Sequence, residues 1–188
     1  MDQQVFGIKE LAAELRRVRD QASDEKEILV KVRQLAARAA ASKRAWMKDY
    51  MYEADAEQGF GVHVLHEEPD HTLAVFAVSW LPDRGTTPHD HGTWAVVVGI
   101  DGPERNEFWE RTDDRSRPGH ADLKKIGTKT FKDDEVLAMP AGTIHGVWNE
   151  TDRVTVSLHI YGKHVNYTGR SQYDPEKRTE TPFKLKIA

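Results

Sequence analysis

The sequence contains no cysteine, which excludes disulfides, zinc ribbons and a thiol nucleophile, and with them a secreted disulfide scaffold. It also has no basic block. Charge is spread along the chain and nets −4 at pH 7, so no nucleic-acid partner held through phosphate contacts is expected. No apolar run approaches the roughly 18 residues of a membrane span, and the opening MDQQVFGIKE has no basic segment followed by an apolar stretch. The expectation is a cytoplasmic chain with no membrane partner. Internal repeats and low-complexity tracts are missing as well. What is present is an ordinary globular composition, 38% hydrophobic and 31% charged over 188 residues, enough for one domain with a sizeable core.

The first part of the chain carries helical periodicity. Val5, Ile8, Leu11, Ala12, Leu15 and Val18 fall at three-and-four spacing up to about Asp20, which predicts an amphipathic helix. Asp24 and Glu27 fit a capping box, and Ile28, Val32, Leu35, Ala36 and Ala39 give a second apolar stripe, continuing or restarting as far as Trp46. Such stripes more often pack on the domain body than bind a partner. After Gly59 the pattern changes to short runs rich in β-branched and aromatic residues: Val62 and Val64, Leu73 to Leu81, Trp94 to Ile100, Glu107 to Arg111, Val136 to Met139 and Val154 to Tyr161. Many short strands without helices between them predict an antiparallel sandwich or barrel. Asp113 to His120 reads as a loop and Ser171 to Ala188 as an extended tail. The predicted organisation is one structural domain, with N-terminal helices over residues 1–50 packed on a β-barrel with its C-terminal tail over 51–188.

Among nine histidines, three stand out by context. In Thr87-Pro88-His89-Asp90-His91-Gly92 the two imidazoles occupy alternate positions, and alternate residues of an extended strand face the same way. Two neutral imidazoles side by side are poor core fillers and good ligands for a divalent transition metal. In Pro140-Ala-Gly-Thr-Ile-His145-Gly-Val-Trp-Asn149, Pro140 and Gly142 predict a tight turn opening a strand near His145, which supplies a third imidazole. Farther on, alternation in Ser157-Leu158-His159-Ile160-Tyr161 puts Ser157, His159 and Tyr161 on one strand face. The remaining histidines read as strand, turn or surface residues, with His120 and His164 exposed. Trp80, Trp94, Trp109 and Trp148 read as barrel filling.

The two histidine segments resemble the two cupin motifs, the second matched at Pro140, Gly142, His145 and Asn149, with Asp134 where a leading glycine is usual. The carboxylate ligand of most cupins is missing from the first, where Trp94, Ala95 and Val96 stand. A site of three histidines without a carboxylate, together with the Ser-x-His-x-Tyr run, resembles the cysteine dioxygenase family of thiol dioxygenases. The likeness is closest to its bacterial 3-mercaptopropionate dioxygenase branch and runs from about Gly59 to Phe183. The resemblance implies a mainly β fold, the cupin double-stranded β-helix or jelly-roll barrel, with an N-terminal α-helical segment. It implies Fe(II) held by His89, His91 and His145, with Ni, Zn or Mn as other metals that imidazoles accept. It further implies Tyr161 beside the metal, supported by His159 and Ser157, and Arg170 near the mouth for a substrate carboxylate. The implied partners are a small thiol and dioxygen, joined as a sulfinate.

Two departures bear on the substrate. On the strand before the first motif the family carries an arginine or glutamine for the substrate carboxylate, and here Val62 or His63 occupies that place; His63 is the candidate able to donate a hydrogen bond. The cysteine that cross-links to a tyrosine in animal members is absent, with Val96 near its position. The alternative readings are a cupin with another metal running a different oxygenase or isomerase reaction, and a non-catalytic cupin that binds a small ligand.

Overall fold

The structure, a computed structural model, describes residues 6–188. Val5, at the head of the first predicted apolar stripe, lies outside them. Two helices come first, α1 (Ile8–Gln21) and α2 (Glu25–Ala41). Glu10 accepts a hydrogen bond from the Gly7 backbone at the start of α1. Asp24 caps α2 by accepting from the Glu27 amide, while Glu27 turns back to the Ser23 amide and hydroxyl rather than to Asp24, so the predicted box is displaced by one residue. The chain beyond α2 reaches Trp46 through a single short turn at Lys43–Ala45.

Eleven strands follow: β1 (Phe60–Glu67), β2 (Thr72–Trp80), β3 (Arg84–Gly85), β4 (Ala95–Asp101), β5 (Glu104–Arg111), β6 (Leu123–Phe131), β7 (Val136–Met139), β8 (Ile144–Asn149), β9 (Thr155–Lys163), β10 (Ser171–Asp174) and β11 (Thr179–Pro182). One antiparallel sheet has the order β1-β2-β9-β4-β7 and faces a second of order β3-β8-β5-β6, with β10-β11 as a hairpin. Strands distant in sequence lie side by side in both sheets, so from β2 to β9 the chain crosses repeatedly between the two walls, with only β5 and β6 following one another in the same one. This is the double-stranded β-helix of the cupin kind, preceded by two helices.

Two differences from the sequence expectation have clear causes. β6, KKIGTKT flanked by Leu123 and Phe131, was not expected as a strand because its residues are almost all exposed and carry no buried face to set a period. The tail is not simply extended, because Ser171–Asp174 and Thr179–Pro182 pair as a hairpin.

Side-chain alternation on the larger sheet sorts the core into two layers. Leu73, Val75 and Ala77 of β2, Val96, Val98 and Ile100 of β4, and Val156, Leu158 and Ile160 of β9 pack against Leu11, Leu15, Val32, Ala36, Ala39 and Ala40 of the helices. The opposite faces of the same strands, with Phe76, Val78, Trp80, Ala95, Val97 and Tyr161, look into the barrel with Phe60, Val62 and Val147. Among the described residues no helix is long and apolar enough to cross a membrane.

Candidate metal centre

His89 is joined to β8 by a two-way backbone bridge: its amide donates to the His145 carbonyl at 2.8 Å and the His145 amide returns the bond at 3.0 Å. The pair His89 and His91 lies outside the named strands, in a segment held by this bridge on one side and by a second bridge, from His89 to Gln172 of the tail, on the other, rather than in the strand expected. The turn before β8 has the geometry that Pro140 and Gly142 predict. The Thr143 amide donates to the Pro140 carbonyl at 3.2 Å, and Gly142 has φ +85°, a conformation natural to glycine.

These connections bring His89, His91 and His145 together, all buried, with one ring nitrogen from each lying within 4.8 Å of the others. Two of the rings are oriented from behind. His89 Nδ1 sits 3.0 Å from the Thr87 carbonyl and His145 Nδ1 2.8 Å from Asn106 Oδ1. A neutral ring donating from Nδ1 presents its Nε2 lone pair to the interior, the usual way a protein fixes a ligand tautomer. Burial, followed by the neighbouring His145, holds His89 and His91 well below the ordinary imidazole range. Burial and then Arg170 push His145 down to about 3. Three neutral, converging nitrogen donors with no thiolate or carboxylate among them suit a divalent first-row metal with open positions.

β9 supplies the adjoining wall. Ser157 Oγ lies 2.8 Å from His159 Nε2, and His159 Nδ1 lies 2.8 Å from Tyr161 Oη. The Tyr161 ring packs edge-on to His91 at 5.1 Å between centroids. Burial lowers His159 to about 3 and raises Tyr161 above its ordinary value, so both are neutral at pH 7. Trp80 does more than fill space, since its Nε1 donates to Ser157 Oγ at 3.1 Å.

Arg170 is 4% exposed and lines the same cavity as the three histidines and Tyr161. Its guanidinium lies over the Phe183 ring, 4.1 Å from the centroid, and neither Nε nor Nη2 has a hydrogen-bond partner among the described residues. Burial lowers its pKa to about 10, which leaves it charged at neutral pH. A buried cation with free donors is an expensive arrangement unless an anion completes it.

His63 is not at this cavity. Alternation along β1 turns Val62 into the barrel and His63 to the other side, where its Nε2 meets the Glu53 carbonyl at 2.9 Å and its ring meets Tyr50. The proposal of His63 as a substrate contact is therefore corrected: one step along a strand reverses the face. His164 is also corrected, being 4% exposed and packed on Phe76, whereas Trp148 is exposed rather than inside the barrel.

Sequence reasoning missed Asn106 and Glu104. Both face inward from β5, whose alternate residues Arg105 and Glu107 pair on the outside. Two polar residues at alternate positions of a strand were the available signal. Phe183 and Leu185 of the tail line the cavity as well.

No family model matches the sequence, and no curated protein does. Among solved structures the chain is similar to an oxalate oxidase in complex with the substrate analogue glycolate, at 15% identity and a TM-score of 0.48 over 66% of this chain. The aligned part spans 61% of the length of that oxidase. It is also similar to an uncharacterized conserved protein with a double-stranded β-helix domain from Klebsiella pneumoniae, at 12% identity and a TM-score of 0.47, covering 68% of this chain and 96% of the other. A Cupin_2 domain of an XRE family transcriptional regulator from Enterobacter cloacae aligns at 18% identity and a TM-score of 0.39, covering 55% and 96%.

Proposed function

We propose that the chain is an iron(II)-dependent thiol dioxygenase acting on a small thiol with a carboxylate at its far end, in the overall reaction R–SH + O2 → R–SO2⁻ + H⁺. The observation that carries this reading is the pairing of three converging neutral imidazoles with an unpartnered buried guanidinium in one cavity. His89, His91 and His145 would hold the iron, which when bound supplies the redox chemistry joining dioxygen to sulfur.

The residues of the chain divide the remaining work. Arg170 offers two free donors to a carboxylate, and a charged donor beside an anion in a dry cavity fixes both binding and orientation. Phe60, Val62, Val78 and Leu185 exclude water around it. Tyr161 holds a hydroxyl proton next to His159 and beside His91. Among the described residues no aspartate or glutamate lines the cavity, so a substrate ammonium would meet only Arg170 and neutral groups there. That favours 3-mercaptopropionate over cysteine.

Oxygen uptake by the iron-loaded protein offered 3-mercaptopropionate, cysteine and an uncharged thiol tests the reading, with the sulfinate detected by mass. The expected result is one sulfinate per dioxygen consumed, fastest with the carboxylate thiol lacking an ammonium. Arg170→Met should raise KM for that substrate by about tenfold or more, since a hydrogen bond to a charged group contributes roughly 1.5–3 kcal/mol. Absence of sulfinate across the panel would leave a metal-binding cupin with another reaction or none.

A further inference from the structure

The buried polar chain on β9 does not end at Ser157. It continues into Glu104, a carboxyl group carried by the opposite sheet that the reaction above does not use. Glu104 is 4% exposed. Its Oε2 lies 2.7 Å from Ser157 Oγ, and its Oε1 accepts from Asn106 Nδ2 at 3.0 Å. Among the described residues no cation stands against it: the small cavity beside it has Glu135 as its one other titratable lining residue, and its hydrogen-bonding neighbours Asn106 and Ser157 are neutral. Burial raises the Glu104 carboxyl above its usual range, opposed by hydrogen bonds from those neighbours.

The donors and acceptors around Ser157 permit only two arrangements. A serine hydroxyl has one proton to give and accepts two bonds. Trp80 Nε1, which only donates, takes one of those acceptor positions. Of the other two neighbours, Glu104 and His159 Nε2, one must receive the serine proton and the other must donate to the serine oxygen. If Glu104 is ionised, Ser157 donates to it, His159 carries its proton on Nε2, and Nδ1 accepts from Tyr161. The phenol proton is then spent inside the wall. If Glu104 is protonated, every bond reverses: Glu104 donates to Ser157, Ser157 to His159 Nε2, and His159 Nδ1–H to the Tyr161 oxygen, which leaves the phenol proton for the cavity.

We propose that Glu104 is a positioning residue that stays protonated inside the barrel and thereby sets the direction of the Ser157–His159–Tyr161 chain, so that Tyr161 donates into the cavity. A lone carboxylate with no cation is the costlier buried state, while a carboxylic acid there satisfies every neighbour. The Asn106 amide keeps its orientation in both arrangements, donating to Glu104 and accepting from His145, so the ligand tautomer is insulated from the choice. The inference concerns protons of the chain itself and does not depend on which thiol or metal the cavity takes.

Nitrogen NMR of the full chain loaded with diamagnetic zinc(II) reads the His159 tautomer directly. The expected result is a proton on Nδ1 in the wild type and in Glu104→Gln, whose amide accepts from Asn106 and donates to Ser157 as the acid does. An infrared carbonyl band of a buried carboxylic acid should be present in the wild type and lost in Glu104→Gln. Ser157→Ala, which cuts the link, should leave His159 as a mixture of both tautomers. A wild-type proton on Nε2, absence of the acid band, or a His159 that stays wholly Nδ1-protonated in Ser157→Ala would each overturn the proposal. Were Glu104→Gln not to fold, the wild-type tautomer and Ser157→Ala still decide it.

Discussion

β2 and β6 are both nine residues long, and they differ in nearly every other respect. In β2, TLAVFAVSW, every residue after Thr72 is buried. In β6, LKKIGTKTF, only Phe131 is. β2 lies between β1 and β9, with the helices on one face and the cavity on the other, whereas β6 ends its sheet. A strand covered on both faces reads as a continuous apolar run, and an exposed edge carries charge, here Lys124, Lys125 and Lys129, which discourages pairing with another chain. The contrast locates the chemistry. The walls that carry it are those with helices or paired strands behind them.

The contrast can be broken at several points. The largest effect is expected at the cavity itself, where His145→Ala should take bound metal per chain to background in elemental analysis. Next, Phe76→Ala in β2 should cost ~3–5 kcal/mol in denaturant unfolding, the loss for a fully buried aromatic ring. Asn106→Ala removes the acceptor behind His145 and should weaken metal affinity by about 10- to 100-fold in a chelator competition while leaving the ligand set intact. At the outer end of β6, hydrogen bonds from Arg178 and then His120 hold Asp122 down to about 2, from an ordinary 3.8. Its folded pKa is depressed, so its contribution to stability is present above pH 3.8 and fades as pH falls toward about 2. Asp122→Asn should flatten that part of the acid unfolding curve, and by little, because the group is in solvent. The smallest effect belongs to Ile126→Ala on β6, expected within about 0.5 kcal/mol of wild type.

The same contrast explains how far the sequence was legible. The strands carrying TLAVFAVSW, AVVVGI and TVSLHIY show their apolar runs openly, and their bounds fall within a residue or two of expectation, as do those of the short β7. The second histidine segment was equally readable, because a proline–glycine turn must be followed by a change of direction. β6 was invisible, since exposure on both faces leaves no period in the residues. Glu104 and Asn106 were hidden for another reason: charged and amide residues on a strand read as solvent-facing until something across the barrel is known to meet them. His63 shows the limit of alternation reasoning, where an offset of one residue exchanges the cavity for the outer surface.

β9 has β2 on one side and β4 on the other, and every residue from Thr155 to Tyr161 is buried. Its amides therefore have no route to deuterium short of opening the larger sheet, and they should be among the last in the molecule to exchange. Ser157, His159 and Tyr161 ride on that segment. Whatever breathing lets a ligand in must come from the tail and the loops at the mouth, while this strand keeps time with global unfolding alone.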